Sequence, residues 1–514
     1  MTANFGEAAR HYADGDLDRA TAACLDIIRN DARHFEPLHL LGVICTLRGQ
    51  HADGVSYLLR AEALRPNDGK VQANLGSAFG AMQRFDKSVE AYRRAVPLSH
   101  PDAELLNNLG LSLLGLGHHE KAIETFLAAL AVDPAHNPAL YNLARARAVA
   151  GHFAKAEADF RQLLTRLPRD TQAARIHDVL NDLARAVISQ GRAEEALEIL
   201  HSAAAERGDV GSLRRNEALI LLLLGRFSEG WTAYETRWDA PNHDRPHPDY
   251  RVLDPDQVAG QRVLVKEEQG RGDVIQFLRY LRLLAARGAR IHLSIYDDLV
   301  PLALEMPDIE VVLTSDADET EYDLLTSIMS LPLAFHTELE TIPAEVPYLR
   351  TPAARIARMR HHLGPASAPR VGLIWAGSRA SQARSAIPPA TLEPLLRRPA
   401  IEFHCLQKEL RDEDRSWLDR TGLVTTHDAM LRDFADTAAL IEAMDLVISI
   451  DTAVAHLAGA LAKPVWIMLA FNPDWRWMLG REDSPWYPTA RLFRQSKPGD
   501  WEGVVSTVAD ALRF

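Results

Sequence analysis

A self-similarity at a step of 34 residues runs through the first 240 positions and leaves few folds open. Ala8, Gly42, Gly76, Gly110 and Ala144 fall on this step, and Leu41, Leu75, Leu109 and Leu143 precede the last four. After one six-residue insertion, Ala184 and Ala218 resume it. Gly15, Gly49, Gly117, Gly151, Gly191 and Gly225 stand where the first helix of each unit should end. Ala20, Ala122, Ala156 and Ala196 follow five residues later, and the large Tyr92, Phe126, Phe160 and Leu200 four beyond that. Pro66, Pro134 and Pro168 close three units. Small residues let two antiparallel helices approach, large ones fill the gap to the next unit, and Pro stops the second helix.

This spacing of Leu-Gly, Ala, Phe and Pro resembles the tetratricopeptide pattern. Seven units are expected, at 1–34, 35–68, 69–102, 103–136, 137–176, 177–210 and 211–240. The resemblance implies an N-terminal α-solenoid over 1–240 whose concave face takes a peptide or protein partner. An array that only braces the rest of the chain is the alternative.

At 514 residues the chain exceeds what one hydrophobic core organises. A formal net charge of -13 argues against a nucleic-acid partner, whose phosphates demand surplus Lys and Arg. The start MTANFGEAAR lacks a basic stretch followed by an apolar run, so no signal peptide is expected. No membrane span is expected either, since no apolar run approaches ~18 residues. Cys24, Cys45 and Cys405 form no ligand cluster, Cys24 and Cys45 occupy packing positions of the repeats, and a cytoplasmic location is expected.

Residues 241–261 are rich in Pro, Asp and His and read as a linker; His243 and His247 lack metal-ligand spacing. Beyond it, strands are expected at 262–268, 289–296, 309–313 and 322–328, with helices between. A connector at 351–369 is followed by further strands at 370–377, 401–407, 445–450 and 464–470. Alternation of this kind predicts parallel sheets. Two Rossmann-like lobes follow, at 262–350 and 370–514, the second ending in a helix at 501–512. Ligands of open α/β sheets bind beyond the carboxyl ends of the strands.

Four segments fall at such ends. EEQGRGD (267–273) brings Gln269, Gly270, Gly272 and Asp273, the last either a helix cap or a general base. DLVISIDTAVAHLAGAL (445–461) brings Asp451, Thr452, Ala453 and His456 at a helix start whose free N–H groups suit a diphosphate. Asp451 would repel phosphate, so it caps the helix or holds a sugar hydroxyl; His456 is a core or supporting residue. WAGSRASQARSAIP (375–388) supplies Gly377, Ser378, Arg379, Arg384 and Ser385, a phosphate loop or a solvated basic one. CLQKE (405–409) supplies Gln407 and Lys408. The aromatic segment 471–488, with Arg476 and Arg481, is either a stacking surface for a base or sugar or a packing loop between lobes. The acidic DAD at 316–318 reads as solvated, and no metal site is expected.

Together these motifs resemble the heptosyltransferase-like branch of the B-type (GT-B) glycosyltransferases over residues 262–514. The resemblance implies a metal-independent transferase with no cofactor and a nucleotide-diphosphate sugar as substrate. It assigns the acceptor base to Asp273, in the pair Gly272-Asp273. It assigns the donor diphosphate to Asp451-Thr452-Ala453-Val454-Ala455-His456, where Ala453 replaces the family's Gly, and to Arg384 in place of a family Lys. Gly377, Ser378, Gln407 and Lys408 complete the expected donor side; Gln269, Gly270 and Gly272 form the acceptor-side loop. The domain order also resembles bacterial repeat-fused transferases that modify proteins. Two other readings stay open: a non-catalytic scaffold with a degenerate transferase domain, and a nucleotide-sugar epimerase.

Overall fold

The computed structural model describes residues 4–168, 173–207, 211–239, 249–314, 322–377, 386–398 and 400–513. The chain divides into two compact units, with the boundary between Gln190 and Gly191.

The first unit is a series of helical hairpins: Phe5–Ala13 with Leu17–Asn30, Phe35–Leu47 with His51–Leu64, Gly69–Ala81 with Phe85–Ala95, Ala103–Gly115 with His119–Val132, and Asn137–Val149 with Phe153–Arg166; helix Ala173–Ile188 follows. The small-to-large pairing explains the spacing. A Cβ added at Gly110 would lie 2.5 Å from the ring of Phe126, and one at Gly76 would lie 2.8 Å from Tyr92. Both large partners are buried, Phe126 completely. The turn inside each hairpin needs a left-handed residue, supplied by Gly117 at φ 74°. In the third repeat that place falls to Gln83, at φ 57°. Cys24 and Cys45 are buried core residues.

The second unit begins with helices Ala193–Arg207, Gly211–Leu223 and Phe227–Tyr234, so the last repeat belongs to it. Two all-parallel sheets follow. The first contains β1 (Arg262–Lys266), β2 (Arg290–Ser294), β3 (Val311–Leu313) and β4 (Leu324–Ser327) in the order β3-β2-β1-β4. The second contains β5 (Arg370–Ile374), β6 (Glu402–Cys405), β7 (Leu446–Ile450), β8 (Val465–Leu469) and β9 (Ala490–Arg494) in the order β6-β5-β7-β8-β9. The order reverses beside β1 in one sheet and beside β5 in the other, which opens a crevice at the strands' carboxyl ends. β5 and β7 are buried along their whole length, as strands covered on both faces are.

Several local expectations need correction. β9 is an additional strand: its Arg491 and Arg494 break the apolar run that marks central strands such as β7, and it lies at the sheet edge. The helix expected between the first two strands is interrupted by a 3-10 turn at Leu278–Tyr280. The connector holds a helix, Ala353–Leu363, whose Arg355 binds Asp436 at 2.7 Å and Asp433 at 2.9 Å. Within the linker, Tyr250 bridges to Leu325 and Pro255–Gln257 makes a 3-10 turn. His243, His247 and the DAD segment lie outside the described residues.

Candidate functional site

The chain leaves β1 through Gln269, whose backbone is left-handed at φ 66°. Two tyrosines hold that loop. The Gln269 side-chain amide donates to the Tyr234 hydroxyl, and the Tyr296 hydroxyl donates to the Gln269 carbonyl at 2.5 Å. Helix Arg271–Phe277 then starts, with Gly270 at its N-cap. Asp273 sits three residues in, and its Oδ2 accepts the Gly270 N–H at 2.8 Å. Gly270 and not Asp273 is therefore the N-cap residue; Asp273 stands at the third helical position and reaches back to the Gly270 N–H, while its carboxylate keeps lone pairs for another partner.

β7 ends at the second half of the site. Thr452 is extended at the N-cap of helix Ala453–Ala460 and makes no side-chain cap bond. Its hydroxyl instead lies 3.1 Å from Ser449 Oγ. Asp451 is not the cap either. The first N–H groups of the helix, on Ala453 and Val454, have no preceding turn to bond, and both residues are partly exposed. They carry the positive end of the helix dipole.

The two helix starts meet. A Cβ on Gly272 would lie 3.1 Å from the His456 ring and 3.3 Å from Ala453 Cα, so a larger residue there would push them apart. His456 is buried, bonds Tyr487 Oη through Nδ1 at 2.9 Å, and stacks on Trp477 at 5.2 Å between centroids. Burial, then the cations Arg476 and Arg279, hold its pKa well below the ordinary imidazole value, so it is neutral. Its Nε2 lies 3.9 Å from Asp451 Oδ1. Burial and then the Asp474 carboxylate push the Asp451 carboxyl up, against the opposing pull of the Trp477 indole and Arg476.

The aromatic segment after β8 supplies packing rather than an open stacking surface. Trp475, Trp477, Trp486 and Tyr487 are all buried. Trp475 and Trp486 join Phe277 and Trp231 in one aromatic cluster. Arg476, between two of these tryptophans, was expected only as part of a stacking or packing segment, and its pairing with Asp273 is what the motifs did not show. The residue's only sequence signal was a cation inside an aromatic run. Another buried arginine, Arg279, donates to the Trp486 carbonyl at 2.6 Å and to Tyr348 Oη at 3.1 Å.

The expected donor residues divide into two groups. Asp451, Thr452, Ala453 and His456 gather opposite Gly272 and Asp273. Gly377, Gln407 and Lys408 follow β5 and β6, along the same carboxyl edge as β7. With neighbouring strands ~4.8 Å apart, the end of β6 is about 10 Å from the end of β7. Gln407 ties these loops together, since its Oε1 accepts the N–H groups of Trp375 at 2.8 Å and Ala376 at 3.1 Å. Lys408 is exposed and donates to the Arg432 carbonyl at 2.7 Å. Ser378 and Arg384 lie outside the described residues. Among the described residues no cluster of His, Cys, Asp and Glu fits a metal ion, and no helix is long and apolar enough to cross a membrane.

The tetratricopeptide repeat family model matches residues 73–137 and 107–174, and the N-terminal array is built of such repeats. The chain is 31% identical over 363 residues to the protein FlbA of Caulobacter vibrioides, a match covering 64% of this chain. The chain spans about 60% of the length of that relative. Among solved structures, it is similar to a tetratricopeptide repeat protein of Parabacteroides merdae (16% identity, 46% of this chain and 92% of that one, TM-score 0.38). It is likewise similar to PilW, a type IV pilus biogenesis factor (21% identity, 40% and 93%, TM-score 0.36).

Proposed function

We propose that the second unit is a glycosyltransferase of the GT-B kind, moving a sugar from a nucleotide-diphosphate donor to a hydroxyl acceptor. One observation carries the reading: a carboxylate at the end of β1 faces an uncapped helix start at the end of β7, across a contact that Gly272 keeps short. Asp273 takes the acceptor's hydroxyl proton as the oxygen bonds the anomeric carbon. The anomeric carbon–phosphate oxygen bond breaks, and its electron pair leaves with the diphosphate. The N–H groups of Ala453 and Val454, with Lys408 along the same sheet edge, stabilise that charge. Arg384 is assigned to the same task by resemblance alone. Asp451 accepts hydrogen bonds from sugar hydroxyls, and neutral His456 braces the helix start. The repeat array recruits the protein that bears the acceptor, consistent with the use of such arrays as peptide-binding surfaces.

A second reading has one observation in its favour. Asp273 is already ion-paired with Arg476, as a purely structural tie would be. That is the scaffold reading, in which the repeats bind partners and the α/β region has no chemistry. A transfer or donor-hydrolysis assay with Asp273→Asn separates the two. The enzyme reading expects turnover to fall about 10²–10⁴-fold, with sugar-nucleotide binding retained in a thermal-shift titration. A wild-type protein that no sugar nucleotide stabilises is the scaffold's result.

A further inference from the structure

We infer that Arg476 is a positioning residue for Asp273, so that the carboxylate is aimed only when the segment after β8 is seated against the helix after β1. The inference rests on the transferase reading above and adds a residue to it.

Arg476 is 6% exposed and uses three faces of its guanidinium. Nη2 donates to Asp273 Oδ1, Nε donates to Gln276 Oε1 at 2.6 Å, and Nη1 donates to Asp474 Oδ1 at 2.8 Å. Asp273 and Gln276 are one turn apart, so Arg476 grips a single face of helix Arg271–Phe277. The guanidinium also lies over the Trp475 ring, 4.2 Å from its centroid, which fixes its plane. Asp273 is therefore held at both oxygens, by Arg476 on Oδ1 and by the Gly270 N–H on Oδ2. Such a carboxylate cannot rotate, and its remaining lone pairs point in a set direction. Burial disfavours the charge on Arg476, but Asp273 and then Asp474 outweigh that and hold its pKa above the ordinary arginine value.

A planar fork is required for this task. Lysine keeps the charge but offers a single mobile ammonium, which cannot hold Asp273, Gln276 and Asp474 together. Asp474 is 38% exposed and grips Arg476 from the far side, so it is the milder place to loosen the arrangement.

The test compares wild type, Arg476→Lys, Asp474→Asn, Asp273→Asn and the double variant Asp273→Asn/Arg476→Lys, each with a sugar nucleotide as donor. Thermal melting reports whether each is folded. Arg476→Lys is expected to lower kcat about 10–100-fold with donor KM unchanged, the pattern of a misaimed group. Asp474→Asn should lower it several-fold in the same manner. The double variant should be no slower than Asp273→Asn alone, because there is no carboxylate left to aim. A merely structural Arg476 would add its loss to that of Asp273→Asn, and that result overturns the inference. Wild-type kcat in Arg476→Lys, or a rise in donor KM that accounts for the loss, overturns it as well. Should Arg476→Lys fail to fold, Asp474→Asn decides, and an unchanged kcat there is the contrary result. If wild type neither binds nor turns over any sugar nucleotide, the transferase reading falls and takes this inference with it. If Asp273→Asn behaves as expected while Arg476→Lys is silent, only the inference falls.

Discussion

The interior of the repeats and the interior around the cleft are built from different materials. Between the repeat helices, small residues face large ones: Gly42 faces Leu58, Gly76 faces Tyr92, and Gly110 faces Phe126. Burying a side chain such as Phe126 contributes about 2–3 kcal/mol each time. Around the cleft the core holds arginines, with Arg279 at 0%, Arg237 at 1% and Arg476 at 6% exposure, set among tryptophans and tyrosines. Buried ion pairs recover their desolvation cost only when every partner is in place. The first region is organised for stacking, and its positions are interchangeable from unit to unit. The second is organised for direction: each charge has a particular partner at a particular atom.

The comparison can be broken by a pair of substitutions with the largest expected effects. Arg237 donates to both oxygens of Glu268, at 2.7 and 2.8 Å, and to Glu235 at 2.7 Å. Arg237→Met leaves those carboxylates with only the Ser327 and Ser330 hydroxyls and no cation, and should cost about 3–5 kcal/mol in denaturant unfolding. Adding Glu268→Gln should restore a good part of it. Phe126→Ala should also cost about 3–5 kcal/mol, but no polar second substitution should recover it. If Arg237→Met cost less than about 1 kcal/mol, the contrast between the two interiors would be lost.

A row of three histidines sharpens the same contrast through pH. His427 bonds His362 at 3.2 Å through Nδ1 and His404 at 3.0 Å through Nε2. Arg370, Glu402 and Asp428 are the charged groups facing the row. Burial, then His404, His362 and Arg370, lower the pKa of His427 to about 4, with Asp428 opposing. The unfolded chain binds this proton near ~6.5 and the folded chain only near 4. Stability is therefore complete above the unfolded value and declines as pH falls through that window, by up to roughly 3 kcal/mol. Unfolding at pH ~7.5 and ~4.5 measures the slope, and His427→Gln should flatten it. An unchanged slope in that variant would assign the acid sensitivity elsewhere.

The smallest expected effects lie in the repeat turns. Gly117→Ala, at φ 74°, should cost about 1 kcal/mol. Gln83→Gly, at the equivalent turn, should be neutral or gain a few tenths of a kcal/mol. A larger cost at position 83 would mean that the Gln83 side chain, rather than the turn, matters there.

What could be read from residues alone follows the same division. The repeats were legible because 34-residue spacing places the same steric problem at the same position many times. Strands such as β5 and β7 were legible because they are buried along their whole length and read as apolar runs; β9 was not, since Arg491 and Arg494 interrupt its run. At the site, Asp273 and the helix start at Thr452 were legible as local motifs. Arg476 was not, because its role depends on Asp273 and Gln276, some 200 positions away in the chain. Gln407 likewise gave no local sign that its amide would join the ends of β5 and β6.

The boundary between the compact units falls between Gln190 and Gly191, inside the sixth repeat rather than after the seventh. Helix Phe227–Tyr234 has repeat spacing, yet Trp231 packs in the aromatic cluster of the α/β region and Tyr234 clasps the Gln269 loop. Trimming the chain at the apparent end of the sixth or seventh repeat would therefore strip Trp231 and Tyr234 from the α/β region they complete, whereas the 34-residue modules before Gly191 form a compact unit of their own.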